Sequence, residues 1–89
     1  MIARAIELAT LTLITRGYCH LCHDMEMALR PLAAELAVDV KVVDIDADAH
    51  ASLKPLYDEL VPVLLHERIE LCHYFLDAAK VRDYLRKIR

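Results

Sequence analysis

Residues 8–22 read LATLTLITRGYCHLC. The first eight of them are apolar or β-branched on both faces, which is typical of a strand buried in the middle of a sheet. Arg16, Gly17 and Tyr18 then interrupt the run, and the chain's only glycine favours a turn there. Apolar residues at helical spacing follow from Cys19 onward. We therefore predict a strand, a turn and a helix, with Cys19 and Cys22 at the start of that helix.

The place of the two cysteines favours redox chemistry. A cysteine at a helix N-terminus faces unpaired backbone N–H groups and the positive end of the helix dipole, and both favour its thiolate. Cys22 lies one turn deeper on the same side, so it is shielded but placed to attack a mixed disulfide at Cys19. Arg16, and His20 or His23 when protonated, would stabilise the thiolate further. The sequence predicts Cys19 as the nucleophile and Cys22 as the resolving cysteine.

The first helix and the second strand come next along the chain. The apolar positions of the helix are Leu21, Met25, Ala28, Leu29, Leu32 and Leu36. Pro31 falls among them and is expected to kink or divide the helix. Residues 38–45 are rich in valine and predict a strand, which runs into the acidic segment 44–48. We interpret that segment as a solvated turn in which an aspartate caps the next helix, in preference to a cation site.

The second half of the chain predicts a helix, two strands and a last helix. The apolar face of the first of these helices is formed by Leu53, Leu56, Tyr57 and Leu60. Residues 61–65 predict a short strand opened by Val61-Pro62, since a missing N–H is tolerated at a strand start. Residues 69–72 alternate like a half-buried edge strand. Asp77 is the predicted N-cap of the last helix. The apolar stripe of that helix is Val81, Tyr84, Leu85 and Ile88.

The predicted fold class is α/β, in the order β-α-β-α-β-β-α, as a single domain over residues 1–89. A crossover joins two parallel strands in the first half, and a hairpin adds two antiparallel strands in the second. The product is a four-stranded mixed sheet with helices on both faces.

Two motifs within this order resemble the glutaredoxins of the thioredoxin-fold superfamily, and most of all the small bacterial glutaredoxin-like proteins. They are Cys19-His20-Leu21-Cys22 after the first strand and Val61-Pro62 before the third. The resemblance implies a thioredoxin/glutaredoxin-like fold and a thiol–disulfide oxidoreductase. It also implies that Pro62 is cis beside the cysteine pair and that the Val61 backbone pairs with an extended thiol substrate. The substrate-binding residues expected on this basis are Arg16, Tyr18, His20, Val61, Pro62 and Asp77.

The segment after the fourth strand departs from the family. Glutaredoxins that hold glutathione usually have a glycine pair and a polar cap there, whereas residues 71–77 read LCHYFLD. The close backbone approach that glycine permits is lost, although Asp77 is placed to meet the glutathione amino group. We expect a disulfide-containing protein or another low-molecular-weight thiol as partner, with glutathione as a weakly bound co-substrate and no resident cofactor.

A second class of function stays open, a binding module that keeps the fold without turnover. The ligand considered for such a module is zinc, which binds four side chains, commonly of cysteine and histidine. Such side chains are Cys19, His20, Cys22, His23, Cys72 and His73. Cys72 by itself is interpreted as a packing residue. Tyr18 either lines the substrate groove or covers the helix start.

The composition of the chain excludes several further classes of function. The net charge of −3 and a pI near 5.9 predict no nucleic-acid partner. Three cysteines are too few for a disulfide scaffold. Residues 1–7 contain no apolar h-region and no cleavage site, and no long apolar run follows, so we expect neither a secretory signal nor a membrane span. These features predict a monomer in the reducing cytoplasm.

Overall fold

The computed structural model describes residues 9–88 and contains the predicted order of elements. The strands are β1 (Thr10–Thr15), β2 (Asp39–Asp44), β3 (Val63–His66) and β4 (Ile69–His73). The helices are α1 (His20–Leu36), a 3₁₀ helix (Asp48–Leu53) followed directly by α2 (Lys54–Tyr57), and α3 (Ala78–Ile88). Leu8, the predicted first residue of β1, and the segment 1–7 lie outside the described residues. The single domain over residues 1–89 stays a prediction.

The four strands form one mixed sheet in the order β2-β1-β3-β4. β1 is parallel to β2 and antiparallel to β3, and β4 completes an antiparallel hairpin with β3. Leu11 of β1 therefore lies between Val40 on one side and His66 on the other. The predicted central strand, crossover and hairpin are confirmed.

Helices cover both faces of the sheet because side chains alternate along its strands. Leu11 and Leu13 point to the face covered by α1 and α3, whereas Ile14 points to the face covered by the 3₁₀ helix and α2. The first core consists of Leu11, Leu13, Met25, Leu29, Leu32, Ala33, Val38, Leu64, Leu71, Val81 and Leu85. The second core consists of Ile14, Ile45, Val63 and Leu65. Each fully buried side chain of this size stabilises the fold by about 1.5–3 kcal/mol.

Pro31 does not divide α1, so that part of the prediction is wrong, and a kink at Pro31 stays a prediction. The helix runs from His20 to Leu36 with Pro31 exposed inside it. Met25 and Leu29 before the proline, and Leu32 after it, are buried in the same core. Packing on both sides therefore holds the two halves in one helix, which outweighs the cost of the proline.

The acidic segment does not cap the next helix as predicted. The 3₁₀ helix follows Ala47, and no side chain caps it. The carboxylate of Asp44 instead accepts the backbone N–H of Asp46 at 2.9 Å, which closes a local turn. At α3 the predicted cap is confirmed, since the N–H of Lys80 donates to the Asp77 carboxylate at 3.0 Å.

Three residues at predicted apolar positions of the helices are exposed, namely Ala28 in α1, Leu56 in α2 and Ile88 in α3. Leu56 lies on the solvent side of α2, which is a single helical turn. Ile88 is the last residue of α3 and is also exposed. Leu53, Tyr57 and Leu60 do pack against the second core.

The connection after α1 and the hairpin between β3 and β4 each contain a non-glycine residue with left-handed backbone. α1 ends at Ala37 (φ 57°, ψ 48°), whose N–H donates to the carbonyls of the last turn. The hairpin between β3 and β4 turns at Glu67 (φ 58°). Glycine adopts such a backbone at less cost than alanine or glutamate. Both positions therefore carry a local conformational cost.

Candidate active site

Three connections leave the sheet at the same end. Ile14, near the end of β1, pairs with Val63 at the start of β3, and Val63 pairs with His73 at the end of β4. The segment with the two cysteines, the Val61-Pro62 segment and the segment leading to Asp77 therefore emerge together. This end of the sheet is the candidate site.

Cys19 and Cys22 form a disulfide, with their Cα atoms 5.2 Å apart. Cys19 is the N-cap of α1, and its Sγ accepts the backbone N–H of Cys22 at 3.1 Å. Its carbonyl accepts the N–H of His23, which begins the helical hydrogen bonds. Cys22 is only 3% exposed, whereas Cys19 is partly exposed. Only Cys19 is therefore open to an incoming reagent.

An open cavity of about 550 Å³ lies beside the disulfide. Its walls are Thr15, Arg16, Tyr18, Cys19, His20, Cys22, His23 and Glu26. Three of the predicted substrate residues, Arg16, Tyr18 and His20, thus lie with both cysteines. Sequence reasoning did not assign Glu26 to the site. Its spacing of four residues from Cys22 places both on one side of α1, and that signal was available.

Tyr18 carries the unusual backbone of the turn before Cys19. Its φ is 56°, and its side chain is fully exposed. This exposure excludes the interpretation in which its ring covers the helix start. Gly17 has no positive φ, and a Cβ placed on it meets no atom within 4 Å. The predicted turn is present at Gly17 and Tyr18, but its left-handed residue is Tyr18 and not the glycine.

The guanidinium of Arg16 is held by two acidic residues. Nε and Nη2 donate to the Asp46 carboxylate at 3.1 and 3.0 Å, and Nη2 also donates to Asp58 Oδ1 at 2.6 Å. Nη1 donates to the Asp58 carbonyl at 3.0 Å. Lys54 completes the group at 2.9 Å from Asp46. The hydrogen bonds from Arg16, and then from Lys54, hold the pKa of Asp46 well below its usual range, and those to Asp46 and Asp58 raise the pKa of Arg16.

The Val61–Pro62 peptide bond is cis. Pro62 is buried, and its carbonyl accepts the N–H of Tyr74 at 2.8 Å. Val61 packs partly against the second core, and its backbone N–H and carbonyl form no hydrogen bond within residues 9–88. In the described part of the chain, the wall of the cavity beside the disulfide does not include Val61, Pro62 or Asp77.

The segment after β4 is tightly folded around Tyr74. Tyr74 has a φ of 65°, and the N–H of Phe75 donates to the His73 carbonyl at 2.7 Å, which closes a three-residue turn. The Tyr74 hydroxyl donates to the Glu59 carbonyl at 2.7 Å. Phe75 is exposed, and the Asp77 carboxylate is occupied by the cap of α3. Both polar groups of Tyr74 that donate hydrogen bonds are thus used within the protein.

Cys72 differs from the cysteine pair. It lies in β4, paired with Leu64 and packed against the first core. Burial raises the pKa of its thiol. In the described part of the chain, no three His, Cys, Asp or Glu side chains come together as ligands for a metal ion. Nor does any helix there have the length and apolar character needed to cross a membrane.

Comparison with known proteins identifies similar chains. A model of the Glutaredoxin-like domain (DUF836) family matches residues 10–86. A protein of Nitrosomonas europaea with a solution structure is 39% identical, with a TM-score of 0.74, over 88% of this chain and 92% of that one. A protein of X. campestris with an X-ray structure is 36% identical, with a TM-score of 0.63, over 86% and 96% of the two chains.

A more distant likeness concerns the fold alone. Thioredoxin 1 of Thermosipho africanus is 16% identical, with a TM-score of 0.63, over 89% of this chain and 97% of that one. The fold is therefore the thioredoxin-like α/β fold, with its four-stranded mixed sheet and three α-helices. No curated protein matches the sequence.

Proposed function

Since the chain belongs to the Glutaredoxin-like domain (DUF836) family of the thioredoxin-fold superfamily, we propose that it is a thiol–disulfide oxidoreductase. In this proposal Cys19 is the attacking thiolate and Cys22 is the resolving cysteine. Tyr18 and His20 contact the substrate from the cavity wall. The backbone of Val61 pairs with the substrate's extended chain.

The contrast between the two sulfurs carries this proposal. The Sγ of Cys19 receives a backbone N–H at the N-terminus of a 17-residue helix, where partial positive charge favours a thiolate. Cys22 is almost completely buried within disulfide distance of it. An exposed nucleophile and a covered partner are what a two-step exchange needs.

The proposed reaction consists of two successive thiol–disulfide exchanges. The Cys19 thiolate attacks one sulfur of the substrate disulfide, the substrate S–S bond breaks, and the departing sulfur leaves as a thiolate that takes up a proton. Cys22 then loses its proton and attacks Cys19 Sγ. The Cys19–Cys22 disulfide forms as the second substrate thiol departs. The dithiol has given two electrons to the substrate, and an external thiol reductant restores it.

Alkylation and trapping test the two roles. With the reduced protein at pH 6, we expect iodoacetamide to modify Cys19 much faster than Cys22 or Cys72, as read by peptide mass spectrometry. Cys22→Ser should accumulate a mixed disulfide at Cys19, and Cys19→Ser should form none. Cys72→Ser is the matched control, because it removes the third thiol and should leave the rate unchanged. Equal alkylation of all three thiols, or trapping through Cys72, would disprove the assignment.

For the substrate, we propose a protein disulfide in preference to glutathione. The turn at Tyr74 supports this, because the N–H and the hydroxyl of Tyr74 are bonded to Pro62 and Glu59, so Tyr74 offers no donor to a small peptide. Charge-assisted contacts to such a ligand contribute roughly 1–3 kcal/mol each. Losing two of them weakens binding on the order of a hundredfold, at 1.4 kcal/mol per tenfold.

A glutathione-coupled disulfide assay tests the preference. We expect slow turnover with glutathione, although the Cys19–Cys22 disulfide forms readily. Replacing both Tyr74 and Phe75 with glycine should increase the glutathione-coupled rate, while the alkylation rate of Cys19 stays the same. A wild-type rate equal to that of an ordinary glutaredoxin assayed in parallel would contradict this preference and leave the redox proposal intact.

A further inference from the structure

We propose that Arg16 is a positioning residue, which holds the segment before Cys19 against the segments that follow β2 and α2. In this proposal its charge does not act directly on the Cys19 thiolate. This inference rests on the proposed redox function, because it concerns how the nucleophile of that site is held. It differs from the direct role expected from the sequence.

Arg16 joins three separate parts of the chain. It stands three residues before Cys19, yet its bonds reach Asp46, 30 residues away, and Asp58, 42 residues away. Asp46 follows β2, and Asp58 ends α2. The bond from Nη1 to the Asp58 carbonyl adds a contact to the backbone itself. One side chain thus ties the segment before Cys19 to the segments after β2 and α2.

The charges around Arg16 argue against a direct role. Four hydrogen bonds use all three guanidinium nitrogens, and every acceptor belongs to Asp46 or Asp58. Two carboxylates face two cations, Arg16 and Lys54, so the group as a whole is neutral. A neutral, internally bonded group contributes little potential at a neighbouring sulfur.

A fixed segment matters because the thiolate depends on geometry. Cys19 Sγ receives the N–H of Cys22 only while Cys19 keeps its extended N-cap backbone (φ −113°, ψ 111°). Tyr18, directly before it, has a left-handed backbone that an L-residue adopts at a cost. If Arg16 were released, this segment would relax, and the sulfur would spend less time at the helix start.

A variant that keeps the charge separates the two roles. Lysine at position 16 retains the positive charge but cannot make the forked bonds of a guanidinium. We therefore compare Arg16→Lys and Arg16→Gln with the wild type, measuring iodoacetamide alkylation of Cys19 against pH in the reduced protein. If Arg16 is a positioning residue, both variants lose thiolate at pH 6 and their rates fall about threefold, or half a pH unit in the midpoint of ionisation.

Asp46→Asn gives an independent test, because it changes the acceptor of two of the four hydrogen bonds of Arg16 and keeps the positive charge of Arg16. It also leaves one carboxylate facing two cations, so faster alkylation at pH 6 would fit either role, and hydrogen exchange is the measurement that separates them. A positioning role predicts faster hydrogen exchange at the Cys22 amide in Arg16→Lys, Arg16→Gln and Asp46→Asn. A direct cation predicts wild-type exchange at this amide in Asp46→Asn. Wild-type alkylation of Arg16→Lys, or wild-type hydrogen exchange at the Cys22 amide of Asp46→Asn, would overturn the inference. These measurements need no turnover, so a failure of the proposed oxidoreductase activity would be seen separately.

Discussion

Replacing Tyr18 with glycine should stabilise the fold and slow the reduction of protein disulfides. The ring of Tyr18 is fully exposed, so its removal gives up no buried contact. Its φ of 56° costs an L-residue about 1–2 kcal/mol, whereas glycine adopts it freely but loses about 0.5–1 kcal/mol more entropy on folding. The difference is a gain of about 0.5–1 kcal/mol, which corresponds to roughly 2–8 °C in Tm for a domain of this size.

The same substitution removes a ring from the wall of the cavity beside Cys19. If a protein substrate covers half of that ring, the contact is worth about 1 kcal/mol, since full burial of a large side chain contributes about 1.5–3 kcal/mol. We therefore expect kcat/KM for a protein disulfide to fall about fivefold, at 1.4 kcal/mol per tenfold. Thermal unfolding and a coupled reduction assay measure the two effects on one preparation.

Tyr18→Ala separates the ring from the backbone. Alanine lacks the ring but keeps the conformational cost, so its Tm should equal that of the wild type and its kcat/KM should fall as in the glycine variant. A lower Tm for Tyr18→Gly, or equal Tm values for the glycine and alanine variants, would refute the backbone argument. Full activity in Tyr18→Ala would refute the role of the ring.

Three further outcomes are expected. Ala37→Gly should stabilise the protein by about 0.5–1 kcal/mol, because Ala37 is left-handed, whereas Ala28→Gly in the exposed middle of α1 should destabilise it by about 1 kcal/mol; equal signs in chemical denaturation would contradict this. Glu35 and Arg82 join α1 to α3, and the hydrogen bond from Arg82 lowers the pKa of Glu35. The stabilisation is present above the unfolded pKa and lost as pH falls through the folded one, so the Tm difference between wild type and Glu35→Gln should shrink from pH 7 to pH 3; a constant difference would argue against the pair. Protein purified without chelator should contain no stoichiometric zinc by elemental analysis, since no three ligands are grouped in residues 9–88, and one zinc per chain would reverse this expectation.

Local patterns were sufficient for the element order and for the place of the cysteine pair. The apolar run before Arg16 could form only a buried strand, and its length and the following turn placed Cys19 at a helix start. Asp77 as a helix cap is equally local, because a carboxylate and an N–H three residues later meet whenever a helix begins there. The parallel and antiparallel pairings followed from connection lengths.

Details that depend on packing could not be read from these patterns. Pro31 breaks helices in isolation, but buried residues before and after it keep α1 whole. Leu56 has helical spacing with Leu53 and Leu60, yet α2 is a single turn that ends at Tyr57, and Leu56 is exposed. The left-handed backbone at Tyr18 stands beside the only glycine, and local propensity favours the glycine for that role.

The surroundings of Cys19 were decided by the tertiary structure alone. Sequence placed Arg16 three residues from Cys19, and nearness along the chain favoured a direct contact with its sulfur. The folded sheet brings Asp46 and Asp58 to the same end as Arg16, and their carboxylates bind the guanidinium of Arg16. A periodic pattern records which face of an element is buried. It holds no record of which side chains meet across 30 or 42 residues, because that distance is set by the pairing of strands and the packing of helices upon them.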